Sequence, residues 1–201
     1  MIAIVDYGMG NLRSVQNALD SLGVESIITS DKETILNSNG IILPGVGAFP
    51  DAIENIKCIG VDKVLEEAVD KGKPLLGICL GMQLLFEESE EVKVSRGLGF
   101  LKGKIQKMSI NLKVPHMGWN SLKYEKSSPI LNGIEENRFV YFVHSYYAVV
   151  EEEGTLNAYT DYEVKVPAVV SKGNVFGLQF HPEKSGEIGI KMLKNFGEMV
   201  K

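Results

Sequence analysis

The run Lys73-Pro74-Leu75-Leu76-Gly77-Ile78-Cys79-Leu80-Gly81 constrains the fold more than any other stretch of the chain. Its apolar part is short and follows a proline, so it reads as a buried strand. It passes directly into Gly-x-Cys-x-Gly, and Met82 to Glu87 then starts a helix. A strand, a glycine-flanked nucleophile and a helix in that order make a nucleophile elbow, here with cysteine in the place of serine. Such a turn is so tight that Gly77 and Gly81 must lack side chains. It pushes the cysteine out at the carboxyl end of a central strand, where open α/β sheets bind ligands. The helix behind presents its positive end to a thiolate. The Leu80 N–H is available to a developing oxyanion. A free cysteine is more often buried packing, and Cys58, between Lys57 and Ile59, is read that way. The strand–turn–helix context sets Cys79 apart.

The rest of the first half alternates in the same manner. Ile2 to Val5, Val24 to Thr29 and Gly40 to Leu43 read as strands. Asn11 to Leu22, with Leu12, Val15, Ala18, Leu19 and Leu22 on one face, reads as a helix stopped by Gly23. Asp31 to Leu36, Asp51 to Ile56 and Val61 to Val69 read as further helices. Strands alternating with helices imply a parallel sheet covered on both faces. The second half is β-rich, with short runs at Phe100 to Met108, Arg138 to Val143, Tyr146 to Val150, Leu156 to Thr160, Ala168 to Ser171 and Val175 to Gly177. Hairpin-length spacing predicts antiparallel additions to the sheet. Ser185 to Val200 closes the chain as an amphipathic helix. The expectation is an α/β fold with a central mixed, mostly parallel sheet flanked by helices. No repeat or linker divides the chain, so residues 1–201 are expected to form one domain.

Composition narrows the function classes. The 201 residues carry a formal charge of −5, which offers no bulk attraction to nucleic acid or anionic lipid. The longest apolar stretches fall far short of the roughly 20 residues that span a bilayer, and the N-terminus reads as no signal peptide. Two cysteines make no disulfide framework. A cytoplasmic protein is expected, where thiols stay reduced. No cofactor and no metal are expected, because neither metal-ligand spacing nor a phosphate loop is present. Asp6-Tyr7-Gly8-Met9-Gly10-Asn11 resembles half of a dinucleotide fingerprint, but its third glycine is missing.

A nucleophilic cysteine needs a base, and the base an orienting partner. Among three histidines, His181 stands where Val175 to Gly177 would deliver it, at a strand end before Pro182, with Glu183 two residues on. That acid can fix the imidazole tautomer and stabilise its charged form. A surface loop with one salt-bridging acid is the plainer alternative. His144, in Tyr141-Phe142-Val143-His144-Ser145-Tyr146, is either a satisfied strand-end histidine or a substrate group. His116, in Pro115-His116-Met117-Gly118-Trp119-Asn120, reads as structural or at an interface. Pro44-Gly45-Val46-Gly47 follows the third strand and can present a second N–H, from Val46 or Gly47, beside the elbow.

Gly77-Ile-Cys79-Leu-Gly-Met-Gln83, with His181-Pro182-Glu183 near the end, resembles the class I (triad) glutamine amidotransferases. Asp6 to Leu12, Leu43 to Phe49, Pro115 to Asn120, Phe142 to Tyr146 and Gly177 to Ser185 are similar to the glutaminase subunits of imidazole glycerol phosphate synthases within that family. The resemblance covers essentially the whole chain and implies a three-layer fold of that family. It also implies a Cys79–His181–Glu183 triad, an oxyanion hole from Val46 and Leu80, and glutamine held by Gly47, Gln83, His144, Ser145 and Tyr146. Ammonia would pass to a (βα)₈-barrel cyclase subunit in a heterodimer, which makes imidazole glycerol phosphate and an aminoimidazole carboxamide ribotide in histidine biosynthesis. Trp119, Tyr141 and Lys184 match the family's subunit interface. Phe49-Pro50-Asp51 departs from the pattern, with a proline where a small residue is expected. Three other readings compete: a paralogous amidotransferase subunit feeding a sugar-modifying synthetase, a cysteine peptidase on the same elbow, and a catalytically silent binding module.

Overall fold

The computed structural model of the chain describes residues 1–200. Its first half runs β1 (Ile2–Val5), α1 (Leu12–Ser21), β2 (Ser26–Thr29), α2 (Lys32–Asn37), β3 (Gly40–Gly45), α3 (Phe49–Cys58), α4 (Val61–Asp70), β4 (Leu75–Cys79) and α5 (Leu80–Leu84). The second half carries β5 (Phe86–Ser89), β6 (Ser95–Arg96), β7 (Leu101–Lys107), β8 (His116–Ser121), β9 (Lys123–Tyr124), β10 (Phe139–His144), β11 (Tyr146–Val150), β12 (Leu156–Tyr162), β13 (Val164–Lys172), β14 (Val175–Leu178) and α6 (Gly186–Met199).

An eight-stranded sheet in the order β2-β1-β3-β4-β14-β13-β12-β9 forms the middle layer. The pairings from β2 through β14 are parallel, and those beyond β14 are antiparallel. Every residue of β1, β3 and β4 is buried, as expected of parallel strands covered on both faces. Alternate residues split between two cores. Ile2, Ile4, Ile42 and Leu76 pack with Val15 and Leu19 of α1 and Met192, Leu193 and Phe196 of α6. Ala3, Val5, Ile41, Leu43 and Leu75 pack with Ala52 and Ile56 of α3 and Val64 and Leu65 of α4. Local signals agree with this layering: the Asp31 carboxylate caps α2 by accepting the Thr34 N–H at 2.8 Å. The departure at Pro50 is harmless, because it lies in the first turn of α3, where no helical acceptor waits for an N–H.

The structure corrects two sequence expectations. The helix expected over Met82 to Glu87 ends at Leu84, and Phe86–Ser89 is a strand. The carbonyls of Leu84, Leu85, Phe86 and Glu87 accept from Leu98, Leu101, Gly99 and Gly97 instead of from a further helical turn. A Cβ on Gly97 would stand 2.2 Å from the Phe86 carbonyl, so glycine is what lets the two backbones approach. Nor do all second-half strands extend the central sheet. β13, β12 and β9 do so antiparallel, but β14 joins β4 in parallel. The rest form a four-stranded sheet β11-β7-β5-β6 and a two-stranded ribbon β10-β8. No helix among the described residues is long and apolar enough to cross a membrane.

Candidate active site

The parallel register brings three carboxyl ends together. Gly45 of β3 lies opposite Cys79 of β4, and Leu178 of β14 lies opposite Ile78. The loops after β3 and β14 therefore flank the elbow, and they carry Val46 and His181.

Cys79 sits at φ 54 and ψ −112, a region an L-residue enters only at a cost. The elbow is held there by backbone packing. A Cβ on Gly81 would stand 1.7 Å from the Leu43 carbonyl, and one on Gly77 would stand 2.6 Å from the Gly81 carbonyl. The Tyr7 hydroxyl donates to the Pro44 carbonyl at 2.8 Å, so the Asp6-to-Asn11 turn pins the loop after β3. Burial, and then the neighbouring Cys79, pushes the Tyr7 phenol above its ordinary pKa. Leu80 opens α5, so its N–H has no carbonyl one turn earlier. The five-residue α5 is a short source of helix field, and oriented N–H groups matter more than a macrodipole.

His181 Nδ1 donates to Glu183 Oε1 at 2.9 Å, and the two side chains are 4% and 2% exposed. That bond leaves Nε2 for the cysteine. Burial lowers the His181 pKa, but hydrogen bonding to Cys79 and Glu183 and the field of both outweigh it and raise the imidazole to about 9. The Ser185 hydroxyl accepts the Tyr141 N–H at 2.9 Å and donates to the His181 carbonyl at 2.6 Å, while the Tyr141 carbonyl accepts the His181 N–H at 3.1 Å. The histidine backbone is thus locked to β10.

A cavity of about 340 Å³ opens over the thiol. Val46, Gly47, Cys79, Gln83, His144, Ser145, Tyr146 and His181 line it, all of them candidates from the sequence. Gly47 has φ 104, and a Cβ there would meet Met9 Cε at 2.5 Å. Gln83 Nε2 donates to the Tyr146 carbonyl at 3.0 Å and to Gln179 Oε1 at 3.1 Å. Leu80 and Glu183 stand behind this lining. Trp119, Tyr141 and Lys184 lie outside the cavity. Trp119 is 55% exposed and packs edge-on against Tyr141 with ring centroids 6.1 Å apart, and Lys184 is exposed beside the His181 turn.

Two residues of this region escaped the sequence reading. Glu91 lines the cavity and accepts the Phe49 N–H at 2.8 Å, bridging the pocket to the start of α3. It hides in the acidic run Glu87-Glu88-Ser89-Glu90-Glu91, where no pattern separates it from solvated neighbours. Gln179 has a visible signal: two residues before His181, it shares that residue's face of an extended segment. Cys58, read as packing, is instead exposed at the end of α3, whose buried face is formed by Phe49, Ala52, Ile53 and Ile56.

Burial holds the other two histidines neutral. It lowers His144 to about 3, helped by His116 and His181 against a hydrogen bond to Tyr146, and it lowers His116 to about 4. In the unfolded chain both imidazoles take a proton near pH 6.5. Between that pH and 4 the unfolded state binds more protons than the folded one, so stability falls as pH falls. Thermal melts are expected to lose on the order of several kcal/mol from pH 7 to pH 4 through these two rings. Melts that stay level across that range would contradict it.

A family model of the class-I glutamine amidotransferases matches residues 3–200, and the chain belongs to that family. Its relatives there carry a narrower name. The imidazole glycerol phosphate synthase subunit HisH of Bacillus cereus (strain G9842) is 59% identical over 200 residues, covering 100% of this chain and 95% of that protein. The HisH subunit of Bacillus cytotoxicus is 55% identical over 201 residues, covering 100% and 96%. Among solved structures, a glutamine amidotransferase aligns with TM-score 0.79 at 21% identity, covering 100% of this chain and 99% of the other. PurLQS from Thermotoga maritima aligns with TM-score 0.78 at 25% identity, covering 100% and 98%.

Proposed function

We propose that the chain is the glutaminase half of an imidazole glycerol phosphate synthase, acting as one domain in the cytoplasm and passing ammonia to a (βα)₈-barrel cyclase subunit. The observation that carries this reading is a pocket lined by Cys79 and His181, the latter bonded to Glu183, whose walls also offer Gln83 and Glu91. Glutamine brings a carboxamide to be attacked and an amino-acid end to be held, and the pocket has a group for each. Glu91 carries the charge that an α-ammonium needs. Gly47, Gln83 and the segment from His144 to Tyr146 take the rest of that end.

In this mechanism the Cys79 thiolate adds to the carboxamide carbon. The oxyanion that forms is met by N–H groups of Leu80 and of the Val46 loop. His181, charged at neutral pH, gives its proton to the departing nitrogen, and ammonia leaves behind a glutamyl thioester. The neutral imidazole then takes a proton from water as the hydroxyl adds to the thioester carbon. Collapse releases glutamate and restores the thiolate and the imidazolium. Trp119, Tyr141 and Lys184, all outside the cavity lining, form the surface for the cyclase in this reading. Val46 is 44% exposed, so the oxyanion loop is open to contact by a partner.

Two measurements test the reading. A glutamine-mimicking electrophile is expected to label buried Cys79 and spare exposed Cys58, with free glutamine protecting the site. Labelling of Cys58 alone would refute the pocket assignment. Glutamine hydrolysis is expected to be low for the isolated chain and to rise by an order of magnitude or more with the cyclase and its nucleotide ligand bound. Equal turnover with and without them would refute the partnership.

A further inference from the structure

From the pocket lining a line of polar groups runs back through His144 and His116 to Asn120, and the proposed hydrolysis gives His116 and Asn120 no role. At its inner end the Tyr146 carbonyl faces Gln83 Nε2 at 3.0 Å and His144 Nδ1 at 2.9 Å. A carbonyl only accepts, so neutral His144 carries its proton on Nδ1 and turns the lone pair of Nε2 outward. His116 Nδ1 lies 3.1 Å from that lone pair. At the outer end the Asn120 Oδ1 accepts the Ser121 N–H at 2.8 Å, and its Nδ2 donates to the Asp161 carbonyl at 3.1 Å. These two partners orient the amide and leave its second N–H directed at His116 Nε2, 3.4 Å away. His116 Nε2 accepts, and Nδ1 is the donor. The proton order along Asn120, His116, His144 and Tyr146 is thus set identically by the Tyr146 carbonyl at one end and the Asn120 amide at the other.

The His116 ring has little freedom to leave this line. It is 2% exposed and stacked between Phe142 and Tyr162, with ring centroids at 4.7 and 4.0 Å. It does not touch the cavity. Its hydrogen-bonded route to the pocket runs through His144 to the Tyr146 carbonyl, which also holds Gln83.

We propose that His116 is a positioning residue for glutamine, acting through the His144 ring to fix the Ser145–Tyr146 backbone and the Gln83 side chain that together receive the substrate. This rests on the glutaminase reading. Removing the donor at the Nδ1 position leaves His144 Nε2 buried with no partner. No tautomer of His144 then satisfies both ring nitrogens, so the ring turns to find a donor for Nε2, and the bond that holds the Tyr146 carbonyl weakens. The substrate-binding peptide loosens while Cys79, His181 and Glu183 keep their own contacts.

The test compares His116→Leu with His116→Asn, assayed in complex with the cyclase. Leucine is close to imidazole in size and donates nothing, whereas asparagine puts an N–H near the position of Nδ1. His116→Leu is expected to raise KM for glutamine by about tenfold with a smaller fall in kcat, and His116→Asn to stay within about threefold of the unsubstituted enzyme. Nitrogen-15 spectra of the unsubstituted chain at pH 7 are expected to show both rings neutral and protonated on Nδ1, a readout that needs no turnover. The proposal is overturned by an Nε2–H form of either ring, by an unchanged KM in His116→Leu, or by asparagine rescuing no better than leucine. If the unsubstituted complex hydrolyses no glutamine, the underlying glutaminase reading falls, and the ring spectra distinguish that result from a broken relay.

Discussion

Cys79→Ala and Cys79→Gly are both expected to lose glutamine hydrolysis, by a factor on the order of 10⁴–10⁶ as for other nucleophiles that act within a catalytic unit. The two variants differ in stability, and in an unusual direction. At an ordinary position glycine is less stable than alanine by about 0.5–1 kcal/mol, because it has more backbone freedom to lose. Residue 79 is not ordinary: φ is 54 and ψ is −112. An L-side chain held in such a region costs of order 1–3 kcal/mol, and glycine removes that cost. Cys79→Gly is therefore expected to unfold at higher denaturant concentration than Cys79→Ala, by about 1 kcal/mol. Comparing these two variants cancels the loss of the buried thiol, which both share. If alanine proves the more stable of the pair, the elbow is not strained and its geometry needs another explanation.

What made the site legible in the sequence was mostly steric. Gly77 and Gly81 announce themselves because no other residue fits against Leu43 and the first turn of α5. The strands behind them announce themselves because burial on both faces leaves an unbroken apolar run in β1, β3 and β4. Parallel pairing then places strand ends side by side, so Val46, Cys79 and His181 converge without knowledge of any contact. Groups that depend on long-range hydrogen bonds stayed hidden. Glu91 differs from Glu87, Glu88 and Glu90 only in what it meets, the Phe49 N–H and the cavity. Phe86–Ser89 became a strand because the segment from Gly97 to Leu101 arrived to take its carbonyls. β8 escaped notice because Gly118 and a mixed face, with Met117 and Trp119 exposed, spoil the period-two pattern. The roles of His116 and His144 were ambiguous for the same reason: an imidazole's function is set by its two neighbours, and neither neighbour is adjacent in sequence.

Glu183→Gln is expected to lower kcat for glutamine hydrolysis by about 10²–10⁴ and to move its alkaline limb toward lower pH. The substitution fits the space. Glu183 Oε1 accepts from His181 Nδ1 at 2.9 Å, and Oε2 is buried with no hydrogen-bond partner, so glutamine can keep the acceptor and set its NH₂ at the second position. What disappears is charge. The wild-type imidazole is raised to about 9 because the hydrogen bonds and charges of Cys79 and Glu183 together outweigh burial. Without the carboxylate charge that opposition weakens, burial gains weight and the pKa falls. Below its pKa His181 holds the proton that ammonia needs, and above it that proton is lost. Activity in the wild type is therefore expected to decline as pH rises through about 9, a limb that belongs to the Cys79–His181 pair. Stability follows the same sign. A histidine raised above its unfolded value of about 6.5 contributes fully below that pH and loses the contribution as pH rises through the folded pKa. Wild-type melts should decline between those limits, and Glu183→Gln melts should be flatter there. A variant with the wild-type alkaline limb and a wild-type slope of stability would mean that Glu183 orients His181 without holding its charge.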